Sequence, residues 1–305
     1  MGEGVAILGI FVADLAFRAP RLPVVGETIA GSGFKMGPGG KGSNQAVAAA
    51  RLGARVTMIS RIGRDEFGTM AVRTWQDEGI TVVAPEDDSE PTGAAFIYVD
   101  QKTGDNAIIV VPGAAAAISA DDIDAAAEHI RGAKVFVTQL EQPIAAARRG
   151  LEIARAAGVT TIFNPAPAMP LEPDIYPLCD YITPNETEAA ALTGIPVASV
   201  DDARRAADAF LDMGVGTALI TLGDKGALLH GKGFSHHVPS LHAGAVVETT
   251  GAGDAFNGGF AVALSRGMSP PDAVRFGCAV AAISVTRPGT APSMPGLAEV
   301  EALLA

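Results

Sequence analysis

The sequence predicts an α/β fold, a mainly parallel central sheet with helices on both faces, and three observations carry that reading. Short continuous apolar runs, at residues 5–11, 135–140 and 160–163, suit strands buried on both faces. From residue 120 onward such runs alternate with amphipathic helical segments, the βαβ pattern of a parallel sheet. A chain of 305 residues, rich in Ala, Gly and Val, supports a large closely packed core.

Residues 5–11 form the first strand, and Asp14 falls just past it, at the carboxyl end where open α/β sheets bind ligands. A turn aspartate is the alternative. Residues 18–34 are rich in Gly, Pro and Thr, with short extended pieces. Residues 37–43 read as a nearly side-chain-free loop before a helix 44–52 that Gly53 closes. This is no Walker A loop, because Lys41 is followed by Gly42 and the glycine spacing fails. Its glycines, Gly40 included, let backbone approach a polyol while Lys41 and Asn44 supply donors; a glycine loop with a surface lysine is the plainer reading. Residues 56–60 are a strand and 67–78 a helix, and the charges of residues 61–68 are read as solvated. Segments 92–99 and 106–111 flank a turn-rich QKTGD and predict a hairpin.

Helix 120–130, strand 135–140, helix 143–157 and strand 160–163 follow. Glu141 stands at a strand end as Asp14 does, with a helix-start carboxylate as the alternative. The prolines of NPAPA, 164–168, suit a conformational role. After strand 181–183, Asn185 and Glu188 lie three apart at a helix start. There an amide and a carboxylate can jointly hold a hydrated Mg²⁺ or the phosphates it bridges, although NETE also reads as a capping box. Helix 200–213, strand 217–221, the turn TLGDKG with Thr221, Gly223 and Gly226, and a final helix 270–283 follow, and residues 297–304 close the chain.

The densest chemistry lies in VVETTGAGDAFNGGFAVAL, residues 246–264. Gly251, Ala252 and Gly253 offer unshielded amides at the start of a helix marked by Phe256, Phe260 and Leu264, a ready phosphate site. Asp254, in the first turn, is favoured there by the helix dipole and suits a general base aimed at an attacking hydroxyl. A plain helix start is the alternative. Gly258 and Gly259 lie inside that helix at about 1 kcal/mol each relative to Ala, which predicts a close approach by something.

With 34 acidic against 22 basic residues, the formal charge of −12 opposes nucleic acid and anionic membrane as partners. Cys179 and Cys278 make no disulfide framework, the N-terminus has no basic leader and its apolar run is too short to span a bilayer, so a cytoplasmic protein is expected. His236, His237 and His242 lack metal-ligand spacing. No G-x-G-x-x-G follows the first strand, which argues against a dinucleotide oxidoreductase.

Residues 246–264 resemble the second signature of the ribokinase-like (PfkB) family of carbohydrate kinases, and GPGGKGSNQAVAAARLGA, 37–54, resembles the first. TQLEQP, NPAPA, TPNETEA and ITLGDKGA stand between them in the family's order, so the resemblance spans nearly the whole chain. It is greatest to the family's ribose-phosphorylating branch. The resemblance implies a three-layer single domain over 1–305, with a small β lid from about 12–36 and 91–112 that closes over sugar and mediates a homodimer. It also implies ATP-dependent phosphorylation of a sugar's primary hydroxyl, foremost the 5-hydroxyl of D-ribose.

In that reading Asp14, Gly40, Lys41, Asn44 and Glu141 hold the sugar, Asp254 is the base, and Gly251, Ala252 and Gly253 form the anion hole. Asn185 and Glu188 serve the Mg²⁺ side, and Thr221, Gly223 and Gly226 the nucleotide. A K⁺ ion is implied near Glu248, Thr250, Ser284, Arg287, Gly289 and Ser293. Two departures stand out: Val12 where many members carry Asn, and Glu248 where Asp is usual. The first opens the acceptor to another pentose, a hexose or a nucleoside, and the second leaves K⁺ activation as a hypothesis. A non-catalytic sugar or nucleotide sensor on the same fold is the reading from a different class.

Overall fold

The computed structural model describes residues 4–305, so the first three residues of the predicted N-terminal stretch lie outside it. The central sheet runs in the order Phe234–Val238, Ala227–Gly231, Thr217–Thr221, Tyr181–Ile182, Thr160–Phe163, Val135–Thr138, Val5–Leu8, Val56–Ile59 and Thr81–Val83. Its neighbours pair in parallel from Thr217–Thr221 to Thr81–Val83. The other edge is an antiparallel hairpin absent from the sequence reading, whose outer strand, Phe234–Val238, is polar and exposed and carries His236 and His237.

Alternation along the first strand divides the core in two. Val5 and Ile7 join the helices Lys41–Arg51, Ala252–Ser265 and Pro270–Ser284 on one face, while Ala6 and Leu8 join Ile144–Ala156 and Val200–Asp212 on the other. The close approach predicted at Gly258 and Gly259 is made by these helices. A Cβ on Gly258 would stand 2.7 Å from Ala48 Cβ, and one on Gly259 2.7 Å from Val280 Cγ2. Glycine there brings helix axes together and marks no ligand.

A second, four-stranded sheet has the order Gly33–Gly39, Val12–Ala19, Thr92–Asp100 and Asn106–Gly113. The last two strands form the predicted hairpin. Two expectations change here. Asp14 does not follow the first strand in a turn; it lies within Val12–Ala19, because the chain stays extended and pairs on both sides, with Gly33–Gly39 and with Thr92–Asp100. Residues 37–39 are likewise strand, Gly37 facing Asp14 and Gly39 facing Val12, and the following helix starts at Lys41 behind Gly40, whose φ of 91° glycine readily adopts.

The charges of residues 61–68 are not simply solvated. Arg61 pairs with Asp87 and Asp122, and Asp65 caps the helix Glu66–Asp77 while also accepting from the Thr92 amide at 2.7 Å. That carboxylate ties the small sheet to the body. The predicted helix 120–130 divides into Ala120–Ala125 and Ala127–Arg131.

Candidate active site

Asp254 is the convergence point. It lies in the first turn of Ala252–Ser265, behind Gly251, whose φ of 83° turns the chain so that the helix N-terminus opens outward. A Cβ at Gly253 would meet nothing within 4 Å, so the first turn borders open space on that side. Thr249 O already accepts the Ala252 N–H at 3.1 Å, which leaves the amides of Gly253 and Asp254 as the orphan donors that helix geometry provides. The Asp254 carboxylate is 6% exposed and accepts from two side-chain amides, Asn44 Nδ2 at 3.0 Å on Oδ2 and Gln45 Nε2 at 3.1 Å on Oδ1.

The Lys41–Arg51 helix thus presents its first turn to Asp254. The Lys41 N–H donates to Glu141 Oε2 at 2.7 Å, which brings the strand-end Glu141 against the same helix start. Asp14 approaches from the small sheet; Thr290 Oγ1 lies 3.5 Å from its Oδ2 and donates to Pro38 O at 3.0 Å. A Cβ on Gly39, which pairs with Val12, would land on the Asp14 carboxyl, so only glycine fits beside that side chain.

The electrostatics follow from gathering carboxylates around one lysine. Burial opposes the Lys41 charge, but Asp254, Glu141 and Glu188 outweigh it and hold the ammonium above the usual lysine range. Burial pushes Glu141 up to about 7 against the pull of Lys41, and Asp14 up to about 6, aided by the charges of Asp254 and Glu248. Asp254 is raised by burial against Lys41, Asn44 and Gln45, and Glu188 is also raised by burial. The site therefore gathers more carboxylates than its surroundings solvate, and hydroxyl donors or a cation would relieve them.

Asn185 and Glu188 form a capping box: Asn185 Oδ1 accepts the Glu188 N–H at 2.8 Å, and Glu188 Oε2 the Asn185 N–H at 2.9 Å. Asn185 bridges to Thr221, whose N–H donates to Pro184 O at 3.0 Å, so the NETE and TLGDKG segments adjoin. Gly223 and Gly226 flank the short 3-10 turn after that strand, both with positive φ.

Of the residues implied for a monovalent cation, Glu248 accepts the Gly289 N–H at 2.8 Å and so joins the two segments concerned. Thr250 sits just before the Gly251 turn, half-buried. The Ser284 hydroxyl donates to Ala281 O, the Ser293 hydroxyl to Thr290 O, and the Arg287 guanidinium pairs with Glu299, so a cation would meet main-chain oxygens at these positions. Among the described residues no cluster of His, Cys, Asp and Glu has metal-site geometry.

Four buried amides went unpredicted as site residues. Gln45 accepts from Gln139 at 2.6 Å and donates to Asn164 at 3.3 Å. Asn164 Nδ2 donates to Thr183 O, Thr183 Oγ1 to Asn257 Oδ1, and Asn257 Nδ2 to Gly253 O. Their only signal in the sequence is a polar side chain at an apolar strand end or helix face.

The fold and this cluster define a phosphotransferase acting on a small hydroxyl-bearing molecule: an anion-binding helix start, a buried carboxylate within it, and further carboxylates facing the same space. The model of the pfkB family of carbohydrate kinases matches residues 3–297. The chain is 42% identical over 296 residues to the ribokinase of Haemophilus influenzae, covering 97% of this chain and 96% of that one. It is 37% identical over 295 residues to the deoxyribokinase of Salmonella typhi, covering 96% of each. The structure of Arabidopsis thaliana ribokinase complexed with ribose and ATP superposes with a TM-score of 0.92 at 32% identity, over 100% of this chain and 99% of that one. This chain belongs to the PfkB family of carbohydrate kinases and is an ATP-dependent sugar kinase with the ribokinase-like α/β fold.

Proposed function

We propose that this chain transfers the γ-phosphoryl group of ATP to the 5-hydroxyl of D-ribose, with Asp254 as general base. The observation that carries the reading is the Asp254 carboxylate, buried at a helix N-terminus beside Lys41 and facing the space that Asp14 and Glu141 border. Sugar hydroxyls donate to Asp14 and Glu141, the main chain at Gly40 closes on the sugar, and Lys41 balances the carboxylates. The Asn44 carbonyl oxygen is buried without a partner, as a hydroxyl-binding group would be before the sugar arrives.

As the 5-oxygen attacks phosphorus and the bond to the bridging oxygen breaks, the hydroxyl proton passes to Asp254 and ADP departs. The uncommitted amides of Gly253 and Asp254, behind the Gly251 turn, face the charge on the transferring group, while the Ala252 N–H is held by Thr249 O. Asn185 and Glu188 would hold Mg²⁺ through water, where it would supply positive charge against the ATP phosphates, and the raised proton affinity of Glu188 suits a cation nearby. Thr221, Gly223 and Gly226 line the nucleotide side.

A second reading, 2-deoxyribose as acceptor, is favoured by Val12. It lies two residues before Asp14 on the same face of the strand and offers no hydrogen bond to a hydroxyl there. ADP release on a panel of ribose, 2-deoxyribose, other pentoses, hexoses and nucleosides tests both. Preference for deoxyribose replaces ribose and leaves the kinase standing, whereas ligand binding without ADP release on any acceptor favours the sensor reading.

We also propose that K⁺ binds between Glu248, the Thr250 carbonyl and the 284–293 segment, where Ser284, Arg287, Gly289 and Ser293 lie. Equal rates in K⁺ and choline buffers remove that idea. The small sheet is proposed as a lid and as the homodimer surface, supported by its exposed Phe34, Ile109 and Val111. Two buried free thiols accord with a cytoplasmic location.

A further inference from the structure

Each oxygen of the Asp254 carboxylate takes one amide N–H, but the two donors differ in what holds them. Asn44 has an unpartnered carbonyl oxygen and faces the sugar space. Gln45 is fully buried, and every polar atom of its side chain is engaged. Its orientation is dictated from outside. Thr183 O can only accept, so Asn164 must turn its NH₂ toward that carbonyl and its Oδ1 toward Gln45. Gln45 then presents its own NH₂ to Asn164 Oδ1 and Asp254 Oδ1, while its Oε1 receives Gln139 Nε2.

Gln139 is in turn confined where two backbones nearly touch. A Cβ on Gly42 would stand 2.7 Å from Gly9 Cα and 3.1 Å from Gln139 Oε1, and one on Gly9 would overlap that oxygen. A Gln45 amide reversed by half a turn would aim Oε1 at the Asp254 carboxylate, oxygen against oxygen. The network therefore selects one carboxylate orientation out of the rotations an aspartate at a helix start can adopt.

We propose that Gln45 is a positioning residue, which Gln139 and Asn164 lock so that it holds the Asp254 carboxylate in its one productive orientation and in its ionised form. The inference rests on Asp254 as the base. The charged groups that act on that carboxylate are Lys41 from its own helix start, Asp14 from the small sheet, Glu141 from the strand end and Glu188 from the NETE helix. All four persist when Gln45 is changed, so a shift in the pH profile reports the loss of the amide.

The experiment compares Gln45→Met, Asp254→Asn and the double variant in steady-state assays of ADP release across pH, with ATP binding by calorimetry as the check on folding. In Gln45→Met, kcat is expected to fall about tenfold or more while KM for sugar and ATP stays within about twofold. The acid limb of its kcat profile moves to higher pH, because an N–H donor that favours the charged carboxylate has gone. In the Asp254→Asn background the same change adds no further loss, since the residue acts through Asp254.

Unchanged kcat, or a loss of equal size with and without Asp254, overturns the inference and leaves the base assignment intact. Near wild-type turnover in Asp254→Asn overturns both. If Gln45→Met does not fold, Gln139→Met, which frees the Gln45 amide to reverse, takes its place. It is expected to lower kcat and move the acid limb in the same direction, and no change in either overturns the inference.

Discussion

The Asp254 site and the outward face of the small sheet leave different things unpaired. At the site the excess is charge: four carboxylates gather around Lys41, and the Gln45 amide beneath them is buried with every polar atom engaged. On the small sheet the excess is apolar area. Phe17 and Phe34 pack at 4.9 Å between ring centres, and Phe17 and Phe96 at 5.7 Å, on the face opposite Asp14, with Phe34 60% and Ile109 65% exposed. Unsatisfied charge in a rigid cradle calls for a small polar ligand, whereas a broad apolar face calls for another surface. Strand Val12–Ala19 belongs to both, since alternate residues point to opposite sides of it.

The sharpest way to break the comparison is at the charged end. Asp254→Asn should lower kcat by about 10²- to 10⁴-fold, with ATP and sugar still bound by calorimetry. Near wild-type turnover would remove the base from the site. Next in size is Gly39→Ala, which places a methyl on the Asp14 carboxyl. The KM for sugar should rise about tenfold with that for ATP little changed, as expected when a well-packed contact is overfilled. Equal changes in both constants would show that the two sheets move as one body.

A third test uses pH. Glu141 and Asp14 have raised proton affinities in the folded chain, so their contribution to stability is present below their ordinary values, near 4.5 and 3.8, and is lost as pH rises through about 7 and about 6. The melting temperature without ligand should therefore decline across that window, and saturating sugar should flatten the decline. Acceptor turnover should rise over the same interval as these groups ionise. A ligand-free melting temperature that climbs from pH 5 to 7 would contradict the charge description.

The smallest effect is expected at the apolar end. Ile109→Glu should shift sedimentation toward monomer while changing the stability of the isolated fold by about 0.5 kcal/mol or less, because the position is exposed. Unaltered sedimentation would move the dimer surface elsewhere.

Much of the body was legible in sequence because its signals are local. Strands 160–163 and 217–221 coincide with the observed elements, since apolar runs report burial within a few residues, whereas the helix Leu297–Leu304 went unassigned. The helix start at Asp254 was readable for the same reason: glycines, an acid and an apolar stripe lie within one turn or two. Asp14 was found but assigned to the wrong element, because an extended stretch continuing past a strand looks like a turn until its pairing partners are known. The polar hairpin strand Phe234–Val238 gave no apolar alternation to detect.

The chain's linear order therefore determined the layered fold, the anion-binding helix start and the set of polar residues available, all of which depend on short-range periodicity and turn chemistry. Tertiary structure alone decided which of those residues meet. Gln45 and Asp254, 209 positions apart, form one hydrogen bond, and Gln45 and Asn164, 119 apart, another. A contact between distant segments depends on how helices pack over a sheet, and a single residue's neighbours in sequence carry no record of it.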